Sequence, residues 1–250
     1  MTIEKLEKYN IFKEKIISLD LLKNQGFNNI SYLVKTTTNK YILRVFRSND
    51  SVNISRNFEY EILKKIYKLK ITSKPIFINK EFMIYEFIHG IHKSKLLTKD
   101  LINLTKHIKK IHSIKPKIKS YNIKQDLKIY NLFLNDFKSK KILNEANRAL
   151  NAINNLKKEL ALSHHDLNPK NIIFNNKEIK IIDWEYAGVN DIFFDLASVC
   201  IEFNLTKNQE KILLNNYFNG NSIKKKKKLD LYKIIYKNLC NLWFLKFNKI

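Results

Sequence analysis

The 250-residue sequence predicts an α+β chain in two parts, a small antiparallel-sheet lobe over 1–88 and a larger, mainly helical lobe over 89–250. Three observations carry this expectation. Apolar and polar residues alternate between 31 and 47, apolar stripes at helical spacing fill most of the chain beyond 98, and that helical texture breaks at 161–183. The break holds short apolar stretches that carry side chains suited to chemistry.

Taken in order, 31–35 and 40–47 read as two strands, with Tyr41, Leu43 and Val45 alternating against Ile42 and Arg44 and a turn at 36–39. Ile54, Phe58, Ile62, Ile66 and Leu69 then recur at helical spacing, predicting a helix over 54–69 that is ended by Pro75 and turns the acidic Glu59 toward the hairpin. The run 81–88 is a short apolar strand leading into Gly90, where a hinge between lobes is expected. Leu101, Leu104, Ile108 and Ile111 form a stripe up to Ile114, just before Lys115 and Pro116, and helical texture continues over 125–160. Residues 161–163 lead into a loop. Strands follow at 171–174 and 178–182 around a turn at 175–177, and helices at 195–213 and 229–247.

Composition narrows the classes available. Hydrophobic residues at 44% and aromatics at 12% exclude a disordered chain, and no apolar run approaches the roughly 20 residues that span a bilayer. The first fifteen residues mix Glu4, Lys5, Glu7 and Lys8 among apolar positions and lack a secretory signal core, so a cytoplasmic location is expected. Cys200 and Cys240 suggest two reduced, partly buried thiols. The formal charge of +24 raises nucleic-acid binding, but only Arg44, Arg47, Arg56 and Arg148 are arginines among 47 basic residues. Arginine grips phosphate and reads bases, and lysine here is spread along the whole chain together with abundant Asn and Ile. That pattern resembles drift toward AT-rich codons; no specific nucleic-acid partner is expected, and the run 224–228 reads as solvated.

The chemistry concentrates in two segments. Phosphoryl transfer to an alcohol needs a carboxylate beside the nucleophile, oxygen ligands for magnesium and a cation near the phosphates. Asp166 stands five residues before Asn171, and Asp183 closes the apolar strand Ile179, Ile181, Ile182. Asp166 is the expected proton acceptor, and Asn171 and Asp183 the expected magnesium ligands. A carboxylate delivered from an apolar wall is costly unless a cation holds it. Arg44 is expected to pair with Glu59 and the nucleotide phosphates, His164 to order the loop, and Asp195 to cap a helix or tie the loop. His165 has no assigned role.

The run H-H-D-x-N-P-x-N-I-I-F from His164, followed by I-I-D-W-E-Y-A-G-x-x-D-x-x-F-D-L-A from Ile181, resembles the choline/ethanolamine kinase and aminoglycoside phosphotransferase superfamily, nearest the bacterial choline and thiamine kinases. Upstream, Gly26-Phe27-Asn28-Asn29-Ile30-Ser31-Tyr32 is similar to that family's phosphate-loop region, Tyr41 to Arg44 to its Y-V-L-R strand, and Arg56 with Glu59 to its R-x-x-E helix. The resemblance spans about 20–205. It implies a two-lobed protein-kinase-like fold, with ATP and Mg2+ as cofactors and a small-molecule alcohol as acceptor. Nucleotide contacts are expected at Asn29, Arg44, Glu59 and Glu86. Choline kinases carry two tryptophans three apart near the C-terminus; here Trp243 remains, with Cys240 at the first position. A cationic head is held by aromatic faces, so Tyr186 and Trp243 are expected as walls and Glu185 as the compensating charge. Core packing is the competing reading for Trp184 and Trp243. Choline or ethanolamine is the first expectation for the acceptor and thiamine the second. An aminoglycoside is disfavoured because 229–250 holds only Asp230 as an acid, and an inactive scaffold because Asp166, Asn171 and Asp183 are all present.

Overall fold

The computed structural model describes residues 1–23, 25–26, 28–47, 55–114, 121–175, 178–220 and 225–247. Phe27, Ile54, Lys115, Pro116, Asn176, Lys177 and Lys224, all used above, lie outside the described residues. The chain forms two compact units, Met1–Ile91 with Ile173–Tyr186, and His92–Ile172 with Ala187–Ile250. The segment Ile173–Tyr186, placed by sequence with the second part, therefore groups with the first.

The first unit is a five-stranded antiparallel sheet in the order β1-β2-β3-β5-β4. Its strands are β1 (Ile16–Leu21), β2 (Asn29–Thr36), β3 (Lys40–Phe46), β4 (Pro75–Ile78) and β5 (Phe82–Glu86), with a short helix α1 (Ile3–Glu7) in front and α2 (Arg56–Tyr67) between β3 and β4. The β2–β3 hairpin sets Ser31 opposite Arg44 and Tyr32 opposite Leu43. Leu6, Ile16, Val34, Leu43, Phe82 and Ile84 form its core. Helix α2 ends at Tyr67, and Lys70 takes a left-handed conformation at φ 60. Pro75 thus opens β4 instead of closing the helix, a position where its missing N–H is tolerated. A hairpin of β7 (Ile172–Phe174) and β8 (Ile179–Ile181) completes this region, with Ile181 N–H donating to Ile71 O at 2.8 Å. At Gly90 an added Cβ would lie 2.7 Å from the Phe174 carbonyl oxygen, so only glycine admits this close approach.

The second unit is mainly helical: α3 (Thr98–His112), α4 (Ile123–Phe133), α5 (Phe137–Asn154), α6 (Phe193–Glu202), α7 (Lys207–Phe218) and α8 (Lys226–Phe247). Leu101, Leu104, Ile108 and Ile111 are fully buried along one face of α3, as their spacing predicts. Asn122 caps α4, Asp136 caps α5, and Thr206 with Gln209 forms a capping box on α7. Residues Leu160–Ser163, read from sequence as the end of a helical stretch and the lead into a loop, form β6, which pairs antiparallel with β9 (Gly188–Asp191). The basic run is not wholly solvated: Lys228 is 6% exposed, bound to Asp191 at 2.6 Å and to the Lys157 carbonyl at 2.7 Å, with its ammonium 4.6 Å from the Phe193 ring centroid. A buried ammonium requires that pairing, and the sequence run alone does not reveal it. Among the described residues no helix is long and apolar enough to cross a membrane, and both cysteines are free.

Candidate active site

In the second unit the chain leaves β6 at Ser163 and turns through His164 and His165 to Asp166. His165 adopts φ 71, a conformation a residue with a Cβ holds only when its surroundings enforce it. They do so here: the Asp195 carboxylate accepts the N–H of His164 at 2.8 Å and of His165 at 2.9 Å. Asp195 is fully buried, which pushes its carboxyl up, but the His112 hydrogen bond and charge, His165 and the backbone donor outweigh this and bring it down to about 2. Beyond the turn, Asn168 caps the single 3₁₀ turn Pro169–Asn171. Asn168 donates to one Asp166 oxygen at 2.9 Å and Asn171 to the other at 2.7 Å. Asp166 and Asn171 are thus in direct contact. Because Asn171 uses its amide nitrogen on Asp166, its amide oxygen is the atom directed elsewhere.

In the first unit, buried charges alternate. Asp183, at φ 63 and with its side chain 34% exposed, accepts from Arg44 at 2.7 Å. Arg44 also binds Glu59, Arg56 binds Glu59 at 3.2 Å and Glu185 at 2.7 Å, and Glu185 accepts further from Asn28 at 2.8 Å and Asn29 at 2.9 Å. Burial works against the charge on Arg44, but Glu59 and then Asp183 hold it firmly protonated. Burial likewise raises Glu185, and the Arg44 charge, the Asn28 hydrogen bond and Arg56 pull it below the usual carboxylate range. Tyr85 lies against the same cluster; burial, partly opposed by Arg44, pushes its phenol up to about 12. Two of the chain's four arginines sit here, the residue type whose planar fork bridges carboxylates.

In this cluster Glu59 is the carboxylate shared by both arginines. We expect Glu59→Gln to lower the free energy of unfolding by about 3 kcal/mol, since it breaks two buried ion pairs at once and, among the described residues, leaves Arg44 only Asp183 and Arg56 only Glu185. Glu61→Gln, which breaks only the exposed pair with Lys64, is expected to change it by less than about 0.5 kcal/mol. Urea titration of both variants checks the contrast.

The remaining candidates divide between the units. Asn29 is 3% exposed and turned onto Glu185. The Glu86 side chain is exposed, 3.9 Å from Lys74, while its backbone N–H donates to the Lys74 carbonyl at 3.0 Å and its carbonyl accepts from Ser73. Glu185 is 6% exposed with both oxygens occupied, which makes it an organiser of Asn28, Asn29 and Arg56 instead of an open counter-charge. Tyr186 accepts from Asn28 at 3.0 Å in the first unit. Trp184 is core, its indole N–H on the Ile181 carbonyl at 2.9 Å. Trp243, in the second unit, is half-buried and meets Phe244 edge-on at 5.1 Å.

One group was not anticipated. Glu202, at the end of α6, accepts from the Tyr236 hydroxyl at 2.9 Å and has no Lys or Arg partner among the described residues. Burial pushes its carboxyl up, the Tyr236 hydrogen bond opposes this, and the negative charge of Asp166 adds to it. Tyr236 and Cys240 feel the charges of Glu202 and Asp166 too, so these four groups share one electrostatic neighbourhood. The signal available in the sequence is an acid in the run FFDLASVCIE, which is otherwise apolar except for Asp195 and Ser198.

A carboxylate presented on a strained, multiply tied turn, and a second one held by a buried Arg–Glu pair, are residue types that phosphoryl transfer to a hydroxyl group calls for. Comparison with known proteins agrees, and residues 24–232 match the family described as "Phosphotransferase enzyme family", to which this chain belongs. The chain is 29% identical over 234 residues to the protein LicA homolog of Metamycoplasma hominis, covering 89% of this chain and 86% of that protein. It is 24% identical over 211 residues to the thiamine kinase of Escherichia coli, covering 78% of this chain and 69% of that enzyme. Among solved structures, the choline kinase LicA from Streptococcus pneumoniae superposes with a TM-score of 0.85 at 24% identity, covering 99% of this chain and 91% of that one. The two-lobed kinase-like fold and a phosphotransferase activity toward an alcohol acceptor follow.

Proposed function

We propose that this kinase moves the γ-phosphate of ATP to the hydroxyl of choline or ethanolamine. The observation that carries the choice of acceptor is Glu202, a half-buried carboxyl with no Lys or Arg partner among the described residues, in the electrostatic neighbourhood of Asp166. A small alcohol bearing an ammonium group supplies the missing charge while its hydroxyl reaches toward Asp166. Tyr236 and Trp243 are the aromatic faces proposed beside it, each worth about 0.5–2 kcal/mol to a cation. Asp166 takes the hydroxyl proton as the oxygen attacks. Arg44 balances phosphate charge while Glu59 holds it in place, and Glu185 orients Asn28 and Asn29, which stand where the phosphate loop of the family falls.

Magnesium fits the residues present. The Asn171 amide oxygen and the Asp183 carboxylate are hard oxygen donors, and Asp183 is accessible enough to share its charge between Arg44 and a cation. Among the described residues no three His, Cys, Asp or Glu side chains converge to form a closed metal cage. Magnesium commonly takes one or two protein oxygens and completes its shell with phosphates. When bound, it neutralises charge on the transferred group.

The test is ADP formation with magnesium-ATP and choline, ethanolamine, thiamine or kanamycin at millimolar concentration, run on the parent protein and on Glu202→Gln. Turnover with choline or ethanolamine is expected, with the acceptor KM raised about 10- to 100-fold in Glu202→Gln and the ATP KM moved less than about threefold. Because the Glu202 carboxyl titrates above its ordinary value, the acceptor KM of the parent protein rises as pH falls, and this rise is absent in Glu202→Gln. Thiamine is the second reading, favoured by the similarity to a thiamine kinase over most of the chain. Strong turnover with thiamine alone would replace the first.

A further inference from the structure

We propose that His112 is a positioning residue for phosphoryl transfer: from the end of α3 it holds Asp195 in the orientation that forms the turn presenting Asp166. His112 Nε2 lies 3.1 Å from Asp195 Oδ2, and its Nδ1 lies 2.7 Å from the Tyr217 hydroxyl on α7. The His112 and Tyr217 rings meet edge-on at 5.6 Å. The His112 side chain is 3% exposed and that of Asp195 0%, so losing the donor leaves a buried carboxylate short of a partner.

An ionised Asp195 only accepts, so Nε2 carries a hydrogen toward it, and the Tyr217 hydroxyl is the partner at Nδ1; both ring nitrogens are thereby engaged. Asp195 in turn holds the two consecutive N–H groups of His164 and His165, the second in its left-handed conformation. The ring of His165 is fixed independently, stacked on Tyr121 at 4.1 Å and bonded to Asn190 at 3.0 Å. Removing the His112 donor therefore acts on the backbone before Asp166 and on the carboxylate that grips it. A strained residue persists only while its surroundings over-determine it, and a shift of about 1 Å in a reacting group costs about 100-fold in rate.

The inference rests on the kinase reading of Asp166, and the experiment separates the two. His112→Asn places an amide at the Nδ1 position, keeping a partner for Tyr217 but not reaching Asp195, whereas His112→Gln places its amide nitrogen where Nε2 stood. With the acceptor that the parent protein uses, His112→Asn is expected to lower kcat about 30-fold, with both KM values within about threefold and with His112→Gln retaining at least about a third of the parent kcat. Amide hydrogen exchange over 163–168, read without any substrate, should accelerate in His112→Asn and stay at the parent rate in His112→Gln. Equal impairment of the two variants, or parent-like exchange over 163–168 in His112→Asn, overturns the proposal. If the parent protein turns over none of the acceptors, the acceptor reading fails, and the exchange comparison still decides this one.

Discussion

Asp166→Ala is expected to lower kcat about 1,000-fold, within the 100- to 10,000-fold range that general bases contribute, while the response to magnesium-ATP is kept. The reason lies in what touches the side chain. Both of its oxygens are hydrogen-bonded, to Asn168 and Asn171, so the carboxylate is fixed before any acceptor arrives. Alanine removes the proposed proton acceptor and also frees two amides to turn, which adds a loss of alignment to the loss of basicity. The Asp195 ties to residues 164 and 165 are untouched, so the turn itself survives. Steady-state kinetics together with a thermal shift in the presence and absence of magnesium-ATP checks both halves. A fall of less than tenfold would remove Asp166 from the proton-acceptor role.

Asp183→Asn is expected to abolish measurable turnover and, unlike the first variant, to remove the stabilisation by magnesium-ATP. At a ligand concentration of 100 times Kd that stabilisation is about 2.7 kcal/mol, several degrees in melting temperature, so its disappearance is easily read. Asparagine is the informative replacement because it tolerates the left-handed backbone at φ 63 and keeps an oxygen for Arg44, leaving the charge on a metal as the main loss. Glu59 still compensates Arg44, so the unliganded variant should melt near the parent protein. A normal response to magnesium-ATP would place the metal elsewhere.

The sequence made those parts of the molecule legible in which chemistry is local. The alternation over β2 and β3, the stripe of α3, and the five-residue spacing that lets Asn171 reach back to Asp166 are all encoded within one or two turns of chain. β1, β4, β6 and β9 were not legible. β4 has four residues and opens on proline, and β9 reads Gly-Val-Asn-Asp, a strand only because β6 supplies its partner. The same limit applies to charge. Glu185 looked like an open acid beside a tryptophan, and its donors Arg56, Asn28 and Asn29 lie 129, 157 and 156 residues away. Lys228 sat in a run of lysines whose pattern says nothing of Asp191. Glu202 fell inside a stretch read as one helix over 195–213, and its place at the end of α6 beside Tyr236 and Asp166 came only with the structure.

The left-handed backbone at Asp183 has an evolutionary consequence. Most replacements there carry two penalties at once, the lost carboxylate and about 1–2 kcal/mol of backbone strain for a residue other than Gly, Asn or Asp. Asn and Gly escape the second, and each is a single nucleotide change from an aspartate codon. With Asp183 as the proposed magnesium ligand, a duplicated copy of this gene has a short, fold-preserving road out of catalysis at one codon, and inactive descendants should be found with Asn or Gly at that position far more often than with Ala, Val or Thr.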